Sequence, residues 1–201
     1  MKVLAISCSP RKNGNTELLL EEVLKGARQE GADTELFSVA GKQIASCDGC
    51  HACSKTGECH IKDDMQELYD KIIAANGIIF GTPVYYYTMT AQAKTVIDRT
   101  IALSKPGRTM VNKVGGVVVL GGSLGLADTL KDIYFYFVSK RMLPAHFVAA
   151  YAAQKGEVVD REQGMLAAHE LGQQVARLVD MKFEYPAEFM RRSIGYGTYL
   201  H

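Results

Sequence analysis

The chain has 201 residues, 47% of them hydrophobic, with 23 Lys and Arg against 22 Asp and Glu for a net charge of +1. That length makes one domain with a full-sized core. No uninterrupted apolar stretch reaches the roughly 18 residues of a membrane span, and the scattered charge argues against nucleic acid as a partner. The first residues run straight into strand-like sequence without a cleavable leader, so a cytoplasmic protein is expected.

Short β-rich runs alternate with amphipathic stretches, the pattern of an α/β fold with a parallel sheet. Residues 3–6 predict a first buried strand. A helix follows from about Thr16 to Gln29, with Leu19, Leu20, Val23, Leu24 and Ala27 on one face. Residues 34–39 predict the second strand. Asp63 and Asp64 open a helix carrying Met65, Leu68, Ile72 and Ile73, their charge placed where the helix macrodipole favours it. Residues 77–81, 114–120 and 147–150 predict the third to fifth strands. Helices are expected near 91–104, 128–142 and 162–181. In a sheet of this kind ligands gather at the carboxyl ends of the strands.

Three loops lie at those ends. Ser7, Cys8, Ser9, Arg11, Asn13, Gly14, Asn15 and Thr16 lead from the first strand into a helix. Helix amides, hydroxyl donors and a guanidinium together suit a phosphate. The loop has neither the Walker ending nor a G-x-G-x-x-G turn, which disfavours nucleoside triphosphates and dinucleotides. Pro83, Val84, Tyr85 and Tyr86 follow the third strand and offer a stiff turn with aromatic walls for a flat ligand. Gly121, Gly122, Ser123 and Gly125 follow the fourth, where main-chain amides can approach a ring edge. Together they describe a planar ligand ending in phosphate. Cys8, inside the first loop, reads as a small buried residue rather than a nucleophile. No acid–base residue presents itself for catalysis.

Between the second strand and the next helix, Cys47, Cys50, Cys53 and Cys59 form a C-x2-C-x2-C-x5-C run in a chain with five cysteines in all. Four close thiolates suit zinc or an iron-sulfur cluster. Structural zinc usually draws on two separated C-x2-C pairs, so this compact run points first to a 4Fe-4S cluster, with zinc or disulfides as alternatives. His51 and His60 read as solvated loop histidines.

On these residues the chain resembles the flavodoxin-like NAD(P)H-dependent FMN reductases, and among them the iron-sulfur flavoproteins, over roughly residues 1–180. The 7–16 loop resembles the family's phosphate loop, and Pro83, Val84, Tyr85 and Tyr86 its isoalloxazine loop. Lys94 with Asp98 and Arg99 resembles the helix that follows, and the cysteine run resembles the cluster motif. The resemblance implies a doubly wound five-stranded parallel sheet of order 2-1-3-4-5 with helices on both faces. It implies FMN on the loop residues named above, one 4Fe-4S cluster on the four cysteines, and a homodimer or homotetramer. NAD(P)H as electron donor and a ferredoxin-like redox protein as partner belong to the same expectation. The expected organisation is an FMN-binding domain over 1–182, with a cysteine loop at 46–62, and an arm over 183–201. Two rivals stay open: an electron carrier without a small-molecule substrate, and a flavin or quinone reductase whose cysteine loop is a zinc or disulfide staple.

Overall fold

A computed structural model of the protein describes residues 1–105 and 108–190. In chain order the elements are β1 (Lys2–Ser7), α1 (Asn15–Gln29), β2 (Asp33–Ser38), α2 (Ala52–Thr56), α3 (Met65–Ala74), β3 (Gly77–Tyr85), β4 (Thr88–Met89) and α4 (Ala91–Arg99). They continue with β5 (Ser104–Lys105), β6 (Arg108–Thr109), β7 (Val114–Gly121), α5 (Leu126–Ser139), β8 (Leu143–Tyr151) and α6 (Glu162–Asp180). Five parallel strands lie in the order β2-β1-β3-β7-β8, and two-residue β4 pairs antiparallel with the end of β3. Counted among the parallel strands this is the expected 2-1-3-4-5 order. A separate two-stranded ribbon, β5-β6, was not legible in the sequence.

Strand alternation assigns the two faces. Leu4 and Ile6 of β1 point to one side with Ile78, Phe80, Val117 and Val119, where α3, α4 and α5 cover them. Val3 and Ala5 point to the other with Ile79, Val118 and Leu120, under α1 and α6. Both faces being covered explains why these strands read as continuous apolar runs. The helices α1 and α6 touch backbone to backbone: a Cβ on Gly172 would stand 1.8 Å from Val23 O, and one on Gly26 2.0 Å from His169 O. Neither obstacle is a side chain that can swing away. Gly172→Ala is therefore expected to lower the unfolding free energy by about 3 kcal/mol, the upper end of overpacking costs, read as a fall in the urea midpoint at unchanged slope.

Boundaries moved where long-range pairing outweighed local signals. β3 continues through Pro83, which stands opposite Leu120, to Tyr85, so the expected turn at 82–88 shrinks to its tip. Proline survives there because β1, the neighbour on the other side of β3, has already ended at Ser7 opposite Gly81. β8 begins at Leu143 rather than residue 147, and α4 ends at Arg99 with a 3-10 turn over Thr100–Ala102. Within α5, residues 133–138 divide by helical period: Ile133, Tyr136 and Phe137 are buried, while Phe135 and Val138 are exposed. At the start of the arm, Tyr185 N donates to Asn112 Oδ1 at 3.1 Å and a 3-10 turn covers Ala187–Met190. Residues 191–201 of the arm, including Arg191 and Arg192, lie outside the described residues. No described helix is long and apolar enough to cross a membrane.

Candidate functional site

The loop after β1 is organised by its own polar groups. Ser9 Oγ accepts the Arg11 amide at 3.2 Å, and the Asn13 amide, from a left-handed residue with φ 51°, reaches Glu17 Oε2 at 2.5 Å. Glu17 Oε1 in turn accepts from Ser38 Oγ at 2.5 Å, which ties the loop to the end of β2. The chain then enters α1 at Gly14, whose extended backbone carries no side-chain cap. The first amides of the helix are thus left for an outside acceptor, the arrangement that attracts an anion.

These amides face a cavity of about 280 Å³, close to the lower bound of small-molecule sites. Ser9, Arg11, Gly14, Asn15 and Thr16 form one wall, Pro83, Val84 and Tyr85 a second, and Gly121 and Gly122 a third. Three chain segments far apart in sequence therefore meet in one pocket. Ser7, Asn13, Tyr86, Ser123 and Gly125 are not part of its lining. Ser7 Oγ is fully buried at the end of β1 and has no partner, an orphan hydroxyl beside the loop. Asn15 serves the fold as well, since its Nδ2 donates to Gln154 O and its Oδ1 accepts from Gly156 N, both at 2.7 Å. That clamp brings the segment after β8 to the pocket, and Ala152, Ala153 and Lys155 join its lining. The rule that ligands collect at carboxyl ends of strands held a signal for this fourth loop.

Tyr86 and Tyr87 are the central residues of the tight β3-β4 turn, at φ 47° and 69°. Turns of this kind favour Asn and Gly, so two tyrosines there hold strained backbone. They are 97% and 64% exposed, which puts them at the rim rather than in the core. Gly125, at φ 99°, lies against the same turn, where a Cβ would meet Tyr87 O at 2.4 Å. Tyr86 and Gly125 thus shape the rim of the pocket without lining it. Cys8 is fully buried, and burial pushes its thiol far above the usual range, which makes it inert.

The second constellation is the cysteine segment. Gly49, His51 and Gly57 have φ of 71°, 58° and 80°, and these left-handed residues curl the chain around the short helix α2. Cys47, Cys50, Cys53 and Cys59 all line one small cavity of about 40 Å³, closed on its far side by Ile61, Arg99, Ile101 and Ala102. Cys47 and Cys50 are exposed and no two of the four are disulfide-bonded. Asp48 organises the rim: Oδ1 accepts the Cys50 amide at 3.1 Å and Oδ2 pairs with His60 Nε2 at 2.7 Å. The Cys50 thiol and amide, with His60, hold the Asp48 carboxyl below its usual range. The Ala52 amide favours a Cys50 thiolate, but Asp48 beside it outweighs this and holds the thiol up. Binding a metal there would expel that proton. His51 and His60 are both exposed; His60 is paired and not simply solvated.

What holds the neck of this segment was not visible in sequence. Arg99 forms a two-pronged ion pair with Asp63, Nη1 to Oδ2 at 2.8 Å and Nη2 to Oδ1 at 3.0 Å, while Asp63 also accepts the amides of Ala45 at 2.8 Å and Met65 at 3.1 Å. Asp63 thus holds the first amide of α3 and closes the neck at once. Burial raises its carboxyl, but the Arg99 bonds and the two amides prevail and hold it below the usual value. A depressed carboxylate adds stability above its unfolded pKa, and that contribution is lost as pH falls through the folded value. Amide exchange at 45–63 is therefore expected to rise selectively on acidification below about pH 4, with Asp63→Asn showing it already at neutral pH.

A doubly wound sheet with a phosphate-type loop, a cavity at the strands' carboxyl ends and a clustered cysteine segment defines a flavodoxin-like flavoprotein oxidoreductase. A family model described as NADPH-dependent FMN reductase matches residues 1–154, and the chain belongs to that family, among its iron-sulfur flavoproteins. An iron-sulfur flavoprotein from Methanocaldococcus jannaschii is 37% identical over 191 residues, covering 90% of this chain and 98% of its own. An iron-sulfur flavoprotein of Archaeoglobus fulgidus is 33% identical over 186 residues, covering 91% of this chain and 82% of its own. Among solved structures, a flavodoxin from the domain Archaea superposes with a TM-score of 0.60 at 17% identity, over 90% of this chain and 99% of that one, which is a likeness of fold.

Proposed function

We propose that the chain is an FMN-dependent oxidoreductase in which one 4Fe-4S cluster, held by Cys47, Cys50, Cys53 and Cys59, relays electrons between the flavin and a one-electron partner. The observation that carries this reading is that all four cysteines line one cavity, separate from a second cavity with an uncapped helix start and Arg11 in its wall. When bound, the flavin exchanges electron pairs with a hydride donor such as NAD(P)H, and the cluster exchanges single electrons. Arg11 and the amides of Gly14, Asn15 and Thr16 hold the phosphate, with Ser7, Ser9 and Asn13 supporting the loop. Pro83, Val84, Tyr85, Gly121 and Gly122 confine the ring, while Tyr86, Ser123 and Gly125 fix the rim. The thiols, once deprotonated, hold the cluster near the surface, where a ferredoxin-like protein can approach. Exposed Phe135 and Val138 on α5 supply apolar surface for a homodimer or homotetramer.

A second reading has its own observation: one ligand atom each from Asp48, Cys50 and His60 lies within 4.8 Å of the others. That set suits zinc, which accepts carboxylate, thiolate and imidazole, and would make the loop a staple on a flavin or quinone reductase. Metal analysis and anaerobic absorbance of the same preparation separate the two readings. Iron with equimolar sulfide supports the relay, and zinc supports the staple. Turnover of NAD(P)H with a quinone or free flavin distinguishes either enzyme from a pure electron carrier.

A further inference from the structure

Arg99 is the largest of the fully buried side chains among the described residues, 1% exposed at the end of α4. A guanidinium carries five N–H donors and no acceptor. Four are satisfied: Nη1 donates to Ala45 O at 2.7 Å and to Asp63, and Nη2 donates to Asp63 and to Ile61 O at 3.3 Å. The fifth, on Nε, is buried and has no partner. An unmade bond on a buried cation is costly, so this donor calls for an acceptor. Closing the neck uses only the Nη groups, so the neck does not explain why Nε–H is left over.

The missing acceptor is supplied by the same cavity, for Arg99 lines it together with the four cysteines. Of its other polar side chains, Asp48 and His60 are paired with each other at 2.7 Å, and His51 is exposed to solvent. Ile61, Ile101 and Ala102 contribute apolar surface, and the Tyr69 hydroxyl beside Arg99 and Cys59 is engaged as a donor to Arg99 O at 2.8 Å, so the cysteine sulfurs are the acceptors that the cavity itself offers. We propose that Arg99 Nε–H donates a hydrogen bond to a sulfur of the cysteine centre, a ligating thiolate or an inorganic sulfide, and that this bond raises the centre's reduction potential. The inference rests on the cluster reading above. A donor aimed at cluster sulfur stabilises the more negative, reduced form, and such outer partners also slow metal loss. Arg99 is therefore a positioning residue that acts twice: its Nη groups close the neck, and its Nε poises the cluster.

The test uses the whole wild-type protein, purified without oxygen after labelling arginine with ¹⁵N, and reads pulsed EPR of the dithionite-reduced centre. A weak ¹⁵N coupling is expected, and it should vanish in Arg99→Lys, which keeps the charge beside Asp63 but has no Nε–H. The same variant should show a more negative midpoint potential and release iron to a chelator at least about ten-fold faster. Because the labelled wild type is read first, a variant that folds poorly does not decide the matter. A reduced cluster without arginine coupling overturns this inference alone and leaves the relay standing. A protein without iron overturns the cluster reading and this inference with it.

Discussion

Replacing Cys59 with alanine is expected to strip or degrade the cluster while the flavin stays bound. Cys59 closes the run of four and lines the same cavity as its three partners. The cavity proposed for the flavin draws on the ends of β1, β3, β7 and β8, and shares no residue with the cysteine cavity. Iron per chain should drop below about a tenth of the wild-type value, since a cubane missing one of four ligands is readily lost. FMN content should be unchanged. The loosening that follows is local: Arg99, Asp63 and the Ala45 and Ile61 carbonyls still close the neck, so added amide exchange should concentrate between residues 47 and 59. A hydride donor should still reduce the flavin, with transfer to a one-electron acceptor slowed. Unchanged iron in this variant would remove Cys59 from the ligand set, and zinc in place of iron would favour the site built on Asp48, Cys50 and His60.

Removing the guanidinium from the phosphate loop should separate FMN from riboflavin. Arg11 stands in the cavity wall beside uncapped helix amides, and its backbone is already fixed by Ser9 Oγ. A charged hydrogen bond is worth about 1.5–3 kcal/mol, so Arg11→Ala should weaken FMN by roughly ten-fold or more. Riboflavin, which has no phosphate, should bind the variant and the wild type nearly alike in titrations followed by flavin fluorescence. Lys155 lines the same cavity and limits the loss, so the double variant should lose more than Arg11→Ala alone. Equal weakening of both ligands would place Arg11 away from the phosphate.

The parts of this fold that were readable from sequence are those where one local pattern coincides with the global role. Residues 3–6 and 114–120 read as buried strands because both faces of the sheet are covered, and α1 reads as a helix because its buried side chains keep one period. The phosphate-type loop reads well because strand, glycine and helix are contiguous. Features made by distant partners do not. Pro83 looks like a turn until Leu120 stands beside it, and Asn15 looks like a ligand donor until the segment after β8 takes both ends of its amide. Asp63 looks like a helix-start charge, which its bond to the Met65 amide justifies, yet its larger role depends on Arg99, 36 residues away. Arg99 itself, within an otherwise ordinary amphipathic helix, carries no local mark of burial. Lys155 follows the fifth strand in a segment, 152–156, that lacks the clustered hydroxyls or glycines marking the other loops.

What the four cysteines hold is measured most directly as iron, acid-labile sulfide, zinc and FMN per chain in wild-type protein purified without oxygen. About four iron and four sulfide per chain, alongside one FMN, are predicted for a single cubane cluster. Stoichiometric zinc without sulfide, or FMN with neither metal, would contradict it.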